Sequence, residues 1–202
     1  MSKVKICGLW RPEDIQAANS ARPDYIGFVF AESRRKVTSD QAARLKELLS
    51  PHILAVGVFV NAPVGEIAKI VKDGTIDLVQ LHGDEDENYI RLLEQEISVP
   101  VIKAVRVKTT GDIQKADALS CDYLLLDTYI AGSYGGSGCQ FDWSLIPPLS
   151  HPFFLAGGLH QRDLRMAVQT GAYCLDLSSA AETGGVKDPD KILKIVNLIR
   201  SI

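Results

Sequence analysis

Short apolar runs recur along the chain at Val4–Cys7, Tyr25–Val29, Leu54–Val60, Leu78–Leu81, Val101–Val105, Tyr123–Asp127, Phe153–Ala156 and Cys174–Leu177. Within each run the apolar residues are consecutive rather than alternating with polar ones, the pattern of strands covered on both faces. Polar or amphipathic segments separate them, and most carry a helix start. Pro12 can occupy a first helical position ahead of Glu13 and Asp14. Thr38 and Gln41 have capping-box spacing before Ala42, Leu45, Leu48 and Leu49. Pro63 opens a run carrying Ile67, Ile70 and Val71, and Asp84 with Glu87 predicts another cap, its acidic first turn suiting the helix dipole. Asp188 and Pro189 open the last helix, with Ile192, Ile195, Val196 and Ile199 on one face. Thr110–Leu119 has little amphipathic content and Trp143–Ile146 is stopped by Pro147 and Pro148, so both predict short or irregular helices.

Strand–helix units at a spacing of roughly 25 residues predict an α/β fold, a (β/α)8 TIM barrel near that fold's lower size limit of about 200 residues. An open doubly wound sheet is the alternative. It more often shows a Gly-x-Gly-x-x-Gly turn after the first strand, where this chain has Cys-Gly-Leu-Trp-Arg-Pro. No linker or low-complexity tract interrupts the sequence, so residues 1–202 are expected to form a single barrel domain.

Composition narrows the function classes. With 46% hydrophobic and 23% charged residues the chain is ordinary for a globular protein, and a formal net charge of −3 argues against nucleic acid as a partner. The longest strongly apolar run, Ile53–Val60, is too short to span a bilayer, and the N-terminus lacks the apolar segment of a signal peptide. A cytoplasmic protein with no membrane partner is expected. Cys7, Cys121, Cys139 and Cys174 form no Cys-x-x-Cys pair, and His52, His82, His151 and His160 no His-x-His or His-Glu-x-x-His pattern. Neither a disulfide framework nor a metal site is expected.

Candidate chemistry lies at the strand ends, which form the active mouth of such a barrel. Cys7, Arg34 and Arg35, Asn61, Gln80 and His82, Arg106, Asp127, Ala156-Gly157-Gly158 and Ser178-Ser179 fall there. Asp127 precedes a loop containing Gly132, Gly135, Gly136 and Gly138, and glycine lets backbone N–H groups approach an anion such as phosphate. The turns Gly157-Gly158 and Ser178-Ser179-Ala180-Ala181-Glu182 follow strands seven and eight, where phosphate is often held, and the second is long enough for one helical turn before Asp188. Bland readings stand beside these: Cys7 as a small core residue, Asp127 as a loop cap, His82 covering a helix start, the arginines as a solvated loop and the serines as turn residues. Side-chain alternation puts Lys5 inside the barrel if Cys7 points to the mouth, and Asp176 on the eighth strand is its expected partner. A Schiff-base lysine, Lys5 or Lys103, is the alternative use of a buried amine. From the residues alone the reading stops at acid–base chemistry on a phosphorylated small molecule.

Several stretches carry a resemblance. Lys5-Ile6-Cys7-Gly8, Gly27-Phe28-Val29-Phe30, Ser33-Arg34-Arg35, Val79-Gln80-Leu81-His82-Gly83, Leu125-Leu126-Asp127-Thr128, Tyr134-Gly135-Gly136-Ser137-Gly138, Phe141-Asp142-Trp143, Ala156-Gly157-Gly158-Leu159 and Asp176 with Ser178-Ser179 resemble phosphoribosylanthranilate isomerase of tryptophan biosynthesis. The resemblance implies an Amadori rearrangement without cofactor or metal, acting on a small phosphorylated substrate as a monomer or homodimer. It implies Asp127 as general acid and Cys7, as thiolate, as general base, with nearby positive charge expected to lower the thiol's pKa. It also implies Arg35 against the anthranilate carboxylate, and Gly136, Gly138, Gly157, Gly158, Ser178 and Ser179 around the phosphate, with Gln80, His82 and Asp176 as further substrate contacts. Trp10 departs from the family pattern, which has a small polar residue there, and Ser-Ser-Ala-Ala-Glu replaces the usual Ser-Ser-Gly-Val-Glu. Two other classes remain open at this point: a Schiff-base lyase on a sugar phosphate, and a non-catalytic phosphate-binding barrel.

Overall fold

A computed structural model describes residues 2–129 and 140–202. The apolar runs become β1 (Lys3–Cys7), β2 (Tyr25–Val29), β3 (Leu54–Phe59), β4 (Leu78–Leu81), β5 (Val101–Val107), β6 (Tyr123–Thr128), β7 (Phe153–Leu155) and β8 (Cys174–Leu177). All neighbouring strands are parallel, and β8 pairs back onto β1, so the sheet closes as a (β/α)8 barrel. Around it lie α1 (Pro12–Ala21), α2 (Ser39–Glu47), α3 (Val64–Lys72), α4 (Glu87–Glu96), α5 (Thr110–Ala116), α6 (Leu164–Gln169) and α7 (Pro189–Arg200). The loop glycines Gly132, Gly135, Gly136 and Gly138, with Cys139, lie outside the described residues.

The helix starts follow local chemistry. Thr38 Oγ1 accepts from Gln41 N at 3.2 Å while Gln41 Oε1 accepts from Thr38 N at 2.9 Å, the reciprocal capping box read from the sequence. Asp188 caps α7 by accepting from Asp190 N and Lys191 N. The cap of α4 is not Asp84 but Asp86, whose carboxylate accepts from Tyr89 N at 2.9 Å. Asp84 instead pairs with Arg106, and its N–H donates to Asn61 Oδ1. The weak segments are short as expected: seven residues in α5, and a single 3-10 turn at Trp143–Leu145. After β8 the chain makes the expected turn as a 3-10 turn, Ser179–Ala181, and then an antiparallel hairpin that the sequence pattern did not announce, β9 (Glu182–Thr183) and β10 (Val186–Lys187).

Two apolar clusters fill the protein. The larger lies between strands and helices. The smaller, with Tyr25, Val56, Ile102, Leu125, Phe154 and Cys174, contains the alternate residues of the strands that point inward. Lys5 belongs to the inward set on β1. It is fully buried, and its Nζ donates to Asp176 Oδ2 at 2.7 Å across the β1–β8 seam. Burial disfavours the ammonium, but the facing Asp176 carboxylate and the neighbouring Cys7 together outweigh it and hold the lysine pKa up.

A buried charge that loses its partner costs far more than a pair replaced by apolar groups. Asp176→Leu alone should therefore destabilise the barrel by about 3–5 kcal/mol, by stranding Lys5. Lys5→Met combined with Asp176→Leu should recover most of that loss in urea unfolding. A double variant as unstable as the sum of the singles would mean that the pair is not the interaction being removed.

Candidate active site

A cavity of about 600 Å³ opens at the C-terminal ends of the barrel strands. It is lined by Cys7 from β1, Arg35 from the loop after β2, Gln80 and His82 from β4 and its turn, and Asp127 from β6. Gly157, Gly158, Asp176, Ser178 and Ser179 complete it from the β7 and β8 side. The strand-end residues read from the sequence thus converge, with three exceptions. Arg34, Asn61 and Arg106 do not line this cavity: Arg34 pairs with Glu182, Asn61 bonds the turn at Asp84, and Arg106 pairs with Asp84. Trp10 does not line it either; it is 38% exposed, and its N–H donates to Asp14 Oδ2.

Cys7 ends β1 half-buried and reduced. Its room comes from β2, because a Cβ on the neighbouring Gly27 would lie 2.6 Å from Cys7 Sγ. Burial pushes the thiol up from its ordinary value and the Asp176 carboxylate adds to this, against the downward pull of Lys5 and Lys187. The expectation of a net depressed thiol is corrected: desolvation outweighs the two cations.

Asp127 is buried at the end of β6, with each carboxylate oxygen placed. Oδ1 accepts the N–H of Thr128 at 2.7 Å, and Oδ2 lies 3.2 Å from His82 Nε2. His82 Nδ1 is in turn 2.8 Å from Gln80 Nε2. Asp127 is therefore no simple loop cap, and His82 does not merely cover a helix start.

The β7 and β8 turns offer hydrogen-bond donors. The N–H groups of Gly157 and Gly158 meet no acceptor among the described residues. Both glycines have left-handed φ, +80° and +61°. Ser178 Oγ donates to Cys7 O at 3.0 Å, locking the β8 turn against the thiol's own backbone.

Sequence reading missed a charged cluster behind this turn. Buried Glu182 accepts from Arg35 Nε at 2.6 Å and Nη2 at 3.0 Å, from Arg34 Nη2 at 2.6 Å and from Lys187 Nζ at 2.8 Å. Lys187 also donates to Ser178 O at 3.0 Å. The spacing of Glu182 and Lys187 across a two-residue Gly-Gly turn was the only sequence signal for it. Lys103, a candidate Schiff-base amine, does not line this cavity. It alternates with the inward Ile102 and Ala104 and pairs with Glu85 at 2.8 Å. Among the described residues no group of His, Cys, Asp and Glu could hold a metal ion, and no helix is long and apolar enough to cross a membrane.

A closed parallel barrel that gathers a thiol and a hydrogen-bonded carboxyl in one cavity at its strand ends defines an enzyme of the (β/α)8 class. The family model for N-(5'-phosphoribosyl)anthranilate (PRA) isomerase matches residues 4–198. An N-(5'-phosphoribosyl)anthranilate isomerase from Endomicrobium trichonymphae is 50% identical over 203 residues, covering 100% of both chains. The crystal structure of phosphoribosyl anthranilate isomerase from Thermotoga maritima has a TM-score of 0.88 at 32% identity and covers 100% of each chain. A further structure of such an isomerase, in complex with reduced 1-(o-carboxyphenylamino)-1-deoxyribulose 5-phosphate, has a TM-score of 0.83 at 30% identity, again over 100% of both chains. The chain belongs to the phosphoribosylanthranilate isomerase family of tryptophan biosynthesis.

The geometry at Gly157 gives a prediction. A Cβ there would lie 2.7 Å from Asp127 Oδ1 and 2.5 Å from Thr128 Oγ1, at a φ that disfavours any side chain. Gly157→Ala should thus displace the carboxyl before it touches a bound anion. Steady-state kinetics should show kcat reduced at least about tenfold, with a smaller change in KM. A pure KM effect would place the role of Gly157 in ligand binding alone.

Proposed function

We propose that residues 1–202 form one barrel domain that catalyses the Amadori rearrangement of N-(5′-phosphoribosyl)anthranilate to 1-(2-carboxyphenylamino)-1-deoxyribulose 5-phosphate, with Asp127 as general acid and Cys7 as general base. The observation that carries this reading is that the thiol and the carboxyl line one cavity whose β7 turn has two backbone N–H groups with no acceptor among the described residues. Asp127 gives its proton to the furanose ring oxygen. The C1′–O bond breaks with its electron pair going to that oxygen, and the nitrogen lone pair forms a C1′=N iminium. The Cys7 thiolate then removes the C2′ proton, made acidic by the iminium, and the electrons move into a C1′=C2′ enolamine that tautomerises to the ketone. No separate electrophile is needed, because the iminium is the electron sink.

The substrate's two anionic ends fit the same mouth. Gly157, Gly158 and the Ser178-Ser179 turn, which line the cavity, are the groups proposed to meet the phosphate. Glu182 holds Nε and Nη2 of Arg35 and leaves Nη1 available to the anthranilate carboxylate. A cytoplasmic enzyme acting as monomer or homodimer belongs to the same reading.

The Schiff-base lyase finds less support. Lys103 is paired outside the cavity, and Lys5 is buried with its pKa held up by Asp176, so neither offers a free amine. Borohydride should trap no lysine in the presence of substrate.

Deuterium at C2′ separates the two proposed roles. Cys7→Ser and Asp127→Asn should each lose at least about a hundredfold in kcat with modest change in KM. Cys7→Ser slows C–H cleavage and should show a larger primary isotope effect than the parent, whereas Asp127→Asn slows the preceding ring opening and should show a small one. Reversed isotope effects would exchange the acid and the base. Because the base must be ionised and burial raises its pKa, kcat/KM should fall as pH drops through a limb above the free-thiol value. A limb below that value would point to a different base.

Arg35→Met should cost roughly 2–4 kcal/mol in kcat/KM, the scale of one charge-assisted pair. A substrate analogue without the carboxylate should bind parent and variant about equally. Much tighter binding of that analogue by the parent would give Arg35 another role.

A further inference from the structure

The family resemblance casts Gln80 and His82 as substrate contacts, yet their side-chain hydrogen bonds among the described residues run to each other and to Asp127. An amide nitrogen donates and has no lone pair to accept with, so at 2.8 Å from Gln80 Nε2 it is His82 Nδ1 that accepts. The ring hydrogen of the neutral imidazole then sits on Nε2, which points at Asp127 Oδ2 from 3.2 Å. Asp127 Oδ1 is meanwhile fixed by the N–H of Thr128. The carboxyl plane is thus gripped at both oxygens, and all three side chains of the chain are buried.

The origin of each contact is in the strand pattern. Gln80 lies on β4 and His82 in the turn just after it, two residues apart, so alternation puts both on the inward face, one above the other. Asp127 is inward on β6. The sheet order β4-β5-β6 leaves one strand between them, a gap that the imidazole ring spans.

From this geometry we infer that His82 is the positioning residue of Asp127 and that Gln80 acts one step further back, by fixing His82 in the tautomer that carries its hydrogen on Nε2. The inference rests on the reading of Asp127 as the acid. Neither side chain is needed to move a proton itself. Their work is to hold the carboxyl in the one orientation from which its proton reaches the ring oxygen, and proton transfer is steep in that geometry. Gln80 Oε1, buried and without a hydrogen-bond partner among the described residues, is the remaining polar atom of the relay, and a sugar hydroxyl in the cavity is the class of donor that would satisfy it.

The test joins spectroscopy with the isotope effect at C2′. In ¹⁵N-histidine-labelled parent enzyme, His82 should show its hydrogen on Nε2, and Gln80→Leu should redistribute it between the ring nitrogens. His82→Phe should lower kcat ten- to a hundredfold, change KM less than about threefold, and shrink the C2′ isotope effect towards one, as expected when ring opening becomes limiting. His82→Gln, which still offers an N–H to Asp127, should retain more activity than His82→Phe. A His82 carrying its hydrogen on Nδ1 in the parent overturns the inference. So does a His82→Phe variant whose KM rises while kcat and the isotope effect stay at parent values, the signature of a substrate contact. Should His82→Phe fail to fold, Gln80→Leu carries the same kinetic test, with a smaller loss of kcat and a reduced isotope effect expected, and parent values of both overturning it. The parallel variant Asp127→Asn keeps the two claims apart. If its isotope effect is not small, the reading of Asp127 is at fault. If it is small and that of His82→Phe is not, the positioning role alone falls.

Discussion

The seam between β1 and β8 is the constraint on which the rest depends, and its centre is the ion pair of Lys5 and Asp176. Eight strands can tilt and close only if the last finds the first, and here that closure carries two charges beside the apolar cluster that fills the barrel. By energy alone the pair is a poor choice, since apolar side chains of similar volume would pack at least as well. Its place explains its presence. Cys7 stands two residues above Lys5 on the same face of β1, and the lysine charge acts on the thiol from below. Asp176 lines the cavity, and its Oδ1 is buried with no hydrogen-bond partner among the described residues. The pair that closes the barrel is also the charged base on which the mouth is built.

Around that pair the site is organised by crowding. Gly27 is small so that Cys7 Sγ can occupy the space beside β2, and Gly157 is small so that the β7 turn can pass against Asp127 and Thr128. Each proposed proton-transfer group is therefore backed by a position where a methyl group would collide with it. Charges arrive around these groups in compensated sets. Lys103 is neutralised by Glu85 away from the cavity, and Glu182 gathers Arg34, Arg35 and Lys187 behind the β8 turn. One carboxylate thus faces three cations behind the turn, and of those cations only Arg35 reaches the lining of the cavity.

Much of this was legible in the sequence because it is periodic or local. Consecutive apolar runs gave the eight strands to within a residue or two at their ends, and alternation along β1 placed Lys5 inside, with Asp176 beside it once the barrel closed. The capping box at Thr38 and the Pro189 start of α7 were written in adjacent residues. What escaped were contacts between side chains distant in sequence and choices among similar neighbours. In Asp84-Glu85-Asp86-Glu87 three carboxylates precede α4, and only the path of the chain decides that Asp86 caps, Asp84 meets Arg106 and Glu85 turns inward to Lys103. Glu182 lies 147 residues from Arg35, and no spacing rule connects them. The thiol's pKa direction was misjudged for a related reason: cations are visible in a sequence, whereas depth of burial is not.

The most direct measurement is turnover of N-(5′-phosphoribosyl)anthranilate by the purified chain beside its Cys7→Ala variant, with product identity checked by chromatography. The parent should form 1-(2-carboxyphenylamino)-1-deoxyribulose 5-phosphate without added cofactor, and the variant should lose at least about a hundredfold in rate. A folded parent that leaves the substrate unchanged would contradict the assigned reaction. A Cys7→Ala variant that keeps most of the activity would contradict the mechanism.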